Sequence, residues 1–100
     1  MLKRVSQGNR RKAEALAVQA LSFISADPER LGRFLALSGI GPDDIRQAAH
    51  EPGFLGGVLD YVVGDERLLK AFAEEAGITP QAVGAALLTL GGPTWERDAP

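Results

Sequence analysis

The sequence lacks cysteine altogether and contains a single histidine, His50, among its 100 residues. Without thiols the chain forms no disulfide, no iron–sulfur cluster and no thiolate metal site. With one imidazole, a site built from several histidines would need several chains. One copy of this protein therefore cannot hold the common zinc and iron–sulfur sites.

Long hydrophobic runs are absent as well. No apolar segment reaches the roughly 18 residues that a membrane-spanning helix needs. The first residues include Lys3 and Arg4, but the apolar stretch that follows such charges in a secretory signal is missing. We therefore expect a cytoplasmic protein that does not enter the membrane, and the lack of cysteine is compatible with that compartment.

The overall composition is that of a folded domain. Hydrophobic residues make up 45% of the chain, and 11 basic residues face 13 acidic ones for a formal net charge of −2. Such a chain is too apolar and too nearly neutral to be intrinsically disordered. One hundred residues suffice for one domain with a core of its own.

Apolar residues recur at spacings of three and four through most of the chain, and no segment alternates with the period of two that predicts a strand. Capping residues, prolines and glycines divide this pattern into six helices. The fold class that follows is all-α, a compact six-helix orthogonal bundle. The predicted helices are residues 10–26, a second from Asp27-Pro28 to Gly39, a short third opened by Gly41-Pro42 with Ile45, Ala48 and Ala49 facing inward, a fourth opened by Pro52, a fifth from Asp65 to Gly77, and a sixth from Thr79-Pro80 to Gly91.

Two features of these helices lead to further predictions. The fourth helix is apolar around most of its circumference, which is typical of a central, buried helix. Four glycines lie inside predicted helices, where each costs up to about 1 kcal/mol relative to alanine. We expect them to allow close helix approach, or else to form the floor of a groove. They are Gly32, Gly56, Gly57 and Gly84.

The helix boundaries repeat at a constant offset of 38 residues. Asp27 corresponds to Asp65, and Phe34 corresponds to Phe72. The further matches are Gly39-Ile40 with Gly77-Ile78 and Pro42 with Pro80. This pattern predicts two pseudo-symmetric three-helix units, residues 12–49 and 50–88, although helix–cap–helix patterns also recur by chance. The predicted organisation is a flexible basic arm (1–9), one helical domain (10–92) and a disordered tail (93–100) that contains Trp95.

The sequence offers little for catalysis. His50 is most simply a helix-end histidine, and Asp60 is expected on the polar stripe of the fourth helix. The neighbouring acids Asp43-Asp44 and Glu74-Glu75 point about 100° apart on a helix and form no ready two-carboxylate site. No phosphate-binding glycine motif or nucleophile elbow is present. We therefore expect no enzyme, no catalytic residue, no cofactor and no metal site.

Charge is distributed unevenly along the chain. Residues 3–12 carry five basic residues and no acid, whereas residues 13–100 carry the other six basic residues and all 13 acids, a formal −7. An electrostatic contact with nucleic acid or an acidic protein is one interpretation, and a solvated surface is the other. The candidate contact residues are Lys3, Arg4, Arg10, Arg11 and Lys12.

The segment Asp27–Ile40 (DPERLGRFLALSGI), together with Ala15–Ser25 before it and Phe54–Leu59 after it, resembles a family of small bacterial proteins of unknown function. The resemblance extends over residues 10–90. It implies an all-helical cytoplasmic domain with no established activity, so it carries over no functional residues.

A noncatalytic protein–protein interaction or adaptor module is the function that this pattern favours. The partner is expected to be another protein or a second copy of the chain in a weak homodimer. Apolar residues exceed a single stripe on several helices, as at Val18, Leu37 and Leu88. The alternative is a nucleic-acid-associated regulatory protein that uses the basic arm.

Overall fold

The computed structural model describes residues 2–51 and 53–91 of the chain. Within these residues all regular structure is helical and no strand is present, so the all-α prediction is confirmed. The predicted tail, residues 93–100 with Trp95, and the proposed helix start at Pro52 lie outside the described residues. The helices are α1 (Leu2–Ser25), α2 (Pro28–Ser38), α3 (Ile45–Ala48), α4 (Phe54–Val63), α5 (Glu66–Ala76) and α6 (Pro80–Leu90), with a 3₁₀ turn (Pro42–Asp44) before α3.

The predicted caps of α2 and α5 form in the same way at an offset of 38 residues. Asp27 lies at φ −121° and accepts a hydrogen bond from the Glu29 amide at 2.9 Å. Asp65 lies at φ −123° and accepts from the Arg67 and Leu68 amides at 3.1 and 3.2 Å. In both cases a carboxylate satisfies amides that have no partner within the first turn.

The two helices also end alike. Both contain 11 residues, and each is followed by a glycine in the left-handed region, Gly39 at φ 76° and Gly77 at φ 70°. Only glycine reaches this conformation without steric cost. The next helical segments differ, because α3 has four residues and α6 has 11. The geometry at the caps and stops is therefore repeated, while duplication of the whole unit stays a prediction.

Helix α4 lies at the centre of the core, as its apolar circumference predicts. It packs against α1, α5 and α6, and α1 in turn packs against α6. Val58, Leu59 and Val62 are completely buried. Phe34 from α2 meets α4 edge-on, with ring centroids 6.1 Å from Phe54 and 5.4 Å from Tyr61.

The first helix is longer than the sequence pattern predicts. It begins at Leu2 and not at the predicted residue 10, so Gly8 and Asn9 do not break the helix. Once a helix has nucleated, each residue that joins it adds one hydrogen bond and orders only one more residue. The free energy gained in this way outweighs the modest cost of a glycine. The stretch contains no proline that would stop the helix.

One smaller expectation also needs correction. Ala49 is exposed, because α3 ends at Ala48 and its inward face is limited to the half-buried Ile45 and Ala48. Helix α4 starts at Phe54, after Gly53 at φ 87°. This positive φ turns the chain into α4, a role for which the sequence pattern gave no separate signal.

The interior glycines fall into two groups. Gly56 and Gly57 are buried in α4, in accordance with close packing there. A Cβ atom added at Gly32 or Gly84 would meet no atom within 4 Å, so close helix approach is the wrong explanation for these two. Gly32 also lies on an exposed part of α2.

Replacing Gly32 with alanine is therefore expected to raise the free energy of unfolding by about 0.5–1 kcal/mol, because alanine loses less backbone entropy in a helix. The matched control is Gly39→Ala, which also has open space around its Cβ but sits at φ +76°. That substitution is expected to cost about 1–3 kcal/mol through backbone strain. Urea denaturation followed by circular dichroism measures both values, and shifts in the same direction would refute this account.

Candidate interaction surface

An open apolar groove of about 490 Å³ runs between α1 and α6. Five alanines line it, and Leu16 and Ile78 add larger apolar side chains. Polar residues stand at its rim. The alanines are Ala13, Ala15, Ala82, Ala85 and Ala86, and the rim residues are Asn9, Lys12, Gln19 and Thr89.

The groove follows from residue size at helical spacing. Lys12, Leu16 and Gln19 lie four and three residues apart along one stripe of α1, and Ala82, Ala85 and Thr89 form the corresponding stripe of α6. An alanine side chain ends at Cβ, so the alanines that both helices contribute to the lining leave a depression where the two helices meet.

The polar residues at the rim require few hydrogen bonds from a partner. The Thr89 hydroxyl donates to the Ala85 carbonyl of its own helix at 3.1 Å, so its hydrogen-bonding need is met locally. Lys12 is the one charged residue among those that line the groove. An apolar partner therefore covers this surface with little desolvation cost.

Two exposed apolar side chains border the groove. Val18 is 51% exposed and follows Ala15 by three residues, and Leu88 is 85% exposed and follows Ala85 by three residues. Residues three apart are surface neighbours on a helix. Each of the two helices therefore carries an exposed apolar side chain next to an alanine that lines the groove. Leu37, 71% exposed, lies on α2 and does not line the groove.

A second pocket, of about 240 Å³, brings together parts of the chain that the sequence singled out separately. Arg10, His50 and Gly56 all line it. The Arg10 Nε lies 3.4 Å from Glu14 Oε2, an exposed pair one helical turn apart of the kind that contributes little to stability. His50 is exposed, and its backbone amide donates to the Gln47 carbonyl at 3.1 Å, which agrees with a helix-end histidine.

The predicted basic contact residues do not share one face. Arg10, Arg11 and Lys12 are all exposed, but Arg10 lines the His50 pocket whereas Lys12 lines the α1–α6 groove. Consecutive residues point about 100° apart on a helix, which separates them. The side chains of the other two candidates, Lys3 and Arg4, lie outside what the structure describes.

The part of the chain that the structure describes contains neither a cluster of acidic residues that could hold a metal ion nor a helix that could span a membrane. Over residues 2–51 and 53–91, no three histidine, aspartate or glutamate side chains are placed to hold a metal ion. Asp60 is half-buried, and the pairs Asp43-Asp44 and Glu74-Glu75 are exposed. No helix within the described part of the chain has the length and apolar character needed to span a membrane.

The groove could not be identified from the sequence, because alanines such as Ala15, Ala82 and Ala85 are common anywhere in a helix. The available signal was alanine at a spacing of three on the outer side of the sixth helix, next to Leu88. That spacing marks a smooth helix face. It does not say which other helix lies beside that face.

Comparison with models of known families matches residues 10–93 to a family described as "Protein of unknown function (DUF3572)". The match covers most of the chain, from Arg10 on α1 to beyond the end of α6, and it confirms the resemblance to a family without an established activity. No curated protein and no solved structure matches the chain.

Proposed function

We propose that this chain, which belongs to the family of unknown function that its residues 10–93 match, is a noncatalytic protein-interaction module. The observation that carries this proposal is the α1–α6 groove, an apolar surface open to solvent, with the exposed Val18 and Leu88 three residues beyond lining alanines. Contiguous exposed apolar surface of this kind, rimmed by polar groups, is typical of interaction sites.

The occupant that this surface fits best is a second copy of the chain. A symmetric dimer requires one patch that is complementary to itself. The α1–α6 surface has a concave part, lined by alanines, and convex parts, at Val18 and Leu88. A twofold axis through the patch places the projecting side chains of each copy against the alanine-lined groove of the other.

The charges along α1 support the same arrangement. Its beginning carries the basic residues up to Lys12, and its end is followed by Asp27 and Glu29. When two α1 helices pack antiparallel, the basic end of each lies near the acidic end of the other. Such complementarity steers association and fixes the relative orientation.

The proposal predicts a concentration-dependent dimer that Leu88→Glu weakens. Charging an apolar contact of the interface costs about 1–2 kcal/mol, so the dissociation constant should rise about 5- to 30-fold. Ala85→Glu, which fills the groove itself, should have an effect at least as large. Sedimentation velocity across a wide concentration range measures both.

The matched control is Leu37→Glu, the same substitution at a leucine that is 71% exposed but lies away from the groove. It should leave the dissociation constant unchanged. A wild-type chain that stays monomeric at millimolar concentration would overturn the proposed occupant. Equal weakening by Leu37→Glu and Leu88→Glu would overturn the proposed surface.

A second candidate function is electrostatic association with nucleic acid. It is favoured by the continuation of α1 to Leu2, which places five basic residues on the first three turns of one helix. A gel shift with a short DNA duplex at about 50 mM salt tests it, because such binding is strongest at low salt. A shift that Arg11→Gln reduces would support this function, and the absence of a shift would remove it.

A further inference from the structure

A cleft on the side formed by α2, α4 and α5 gathers three arginines. It has a volume of about 190 Å³ and shares no lining residue with the α1–α6 groove. Arg30 and Arg33 come from α2, Tyr61 from α4 and Arg67 from α5. We name it the arginine cleft.

This concentration of positive charge stands out against its surroundings. Residues 13–91 contain five lysines and arginines, and three of the five line the arginine cleft. The same stretch contains 11 acidic residues, of which only Asp65 lines the cleft. The Asp65 Oδ1 already accepts the Arg67 and Leu68 amides as the cap of α5. Arg30 also has an acidic neighbour just outside the lining, Asp27, so Arg33 and Arg67 are the two arginines of the cleft without an ion-pair partner among the described residues.

Two of the arginines are available to a ligand. The Arg30 Nε lies 3.8 Å from Asp27 Oδ2, and its guanidinium stacks over the Phe23 ring at 4.2 Å, so this side chain is positioned by its own neighbours. Arg33 and Arg67 are exposed and have no ion-pair partner within 4.0 Å in the described part of the chain. Each presents a planar guanidinium that binds two oxygens of one anion at once.

Tyr61 adds a neutral donor. Its ring packs edge-on against Phe34, with centroids 5.4 Å apart, which fixes the side chain. Burial raises the pKa of Tyr61, Arg33 opposes this shift, and Asp65 adds to it. The phenol therefore keeps its proton at neutral pH and can donate a hydrogen bond to an anion.

We propose that the arginine cleft binds a single phosphate group in its dianionic form. Two unpaired guanidinium groups, each able to bind two oxygens, together with the Tyr61 phenol offer more donors than the two oxygens of a carboxylate can accept, and they suit the larger number of oxygens on a phosphate. The volume of about 190 Å³ is below the roughly 300–1,000 Å³ of sites that enclose a whole small molecule, so the cleft holds one terminal group. A free phosphate monoester and a phosphorylated side chain share this chemistry.

Titration of ¹⁵N-labelled protein with inorganic phosphate, followed by NMR, tests the proposal at pH 7.5 and constant ionic strength. We expect saturable shifts of the Arg33 and Arg67 Nε–H signals, and a dissociation constant at least tenfold higher for acetate. In the double variant Arg33→Gln, Arg67→Gln the phosphate constant should rise at least tenfold. Both arginines are exposed, so the variant should keep its fold, which circular dichroism checks.

Arg46→Gln is the matched control, since it removes one positive charge from an exposed position on α3 outside the cleft. It should change the phosphate constant less than twofold. The dissociation constants of methyl phosphate and of a phosphoserine peptide are then compared. Tighter binding of methyl phosphate indicates a free phosphate monoester as the ligand, and tighter binding of the peptide indicates a phosphorylated side chain. Shifts that do not saturate, or equal weakening by Arg46→Gln and the double variant, would overturn the proposal.

Discussion

Replacing Phe34 with alanine is expected to lower the free energy of unfolding by about 3–5 kcal/mol. The Phe34 ring is 1% exposed and joins α2 to α4 through edge-on contacts with Phe54 and Tyr61. Its removal leaves a cavity that these two rings cannot fill without losing their own contacts. A domain of this size has a total stability of about 5–15 kcal/mol, so a loss of this size is a large share of it. Urea denaturation followed by circular dichroism measures the change.

Leu37→Ala provides the comparison, because it truncates a large apolar residue three positions further along the same helix. Leu37 is 71% exposed, and its truncation should change stability by no more than about 0.5 kcal/mol. Phe72, the residue 38 positions after Phe34, is 2% exposed and should show a loss in the same range as Phe34. A loss below about 1 kcal/mol for Phe34→Ala would contradict the packing described for α2 and α4.

Val58→Asp is expected to abolish the folded state at pH 7. Val58 is completely buried on α4, which packs against α1, α5 and α6. An ionised carboxylate at this position would lose its water without gaining a partner, because the described core contains no buried polar or charged side chain. The desolvation penalty of several kcal/mol approaches the whole stability of the domain. Loss of the cooperative thermal transition would report the effect.

The folded state is expected to be lost because residue 58 is buried, and not because α4 cannot carry a carboxylate. Helix α4 already carries a carboxylate at the half-buried Asp60, two residues further on. Val63→Asp, a substitution at another half-buried position of α4, should therefore reduce the melting temperature and still leave a folded protein. A Val58→Asp variant that unfolds at the wild-type temperature would show that α4 is not the centre of the core.

Local features of this fold could be predicted from the sequence because their causes are local. Asp27 and Asp65 bond to amides two or three residues away, and Gly39 and Gly77 adopt a conformation that other residues avoid. These residues therefore mark the ends of α2 and α5 in any tertiary context. The start of α1 could not be predicted in this way, because Gly8 weakens a helix without stopping it.

The candidate sites could not be predicted because they depend on which helices meet. The α1–α6 groove joins residues near Ala15 to residues near Ala85, and the periodicity of either helix says only that one side faces inward. The arginine cleft likewise joins α2 to α5. On the linear chain Arg30, Arg33 and Arg67 look like ordinary surface charges, and their proximity appears only in the folded protein.

The pairing of α1 with α6 also constrains how the chain reaches its native state. These helices are separated in sequence by the 54 residues between Ser25 and Pro80, and both pack against α4. Closing so long a loop costs entropy before the buried contacts form, which slows folding relative to a bundle of sequential neighbours. During synthesis, α1, α4 and α5 can pack together first, but the faces of α1 and α4 that contact α6 stay uncovered until α6 has left the ribosome.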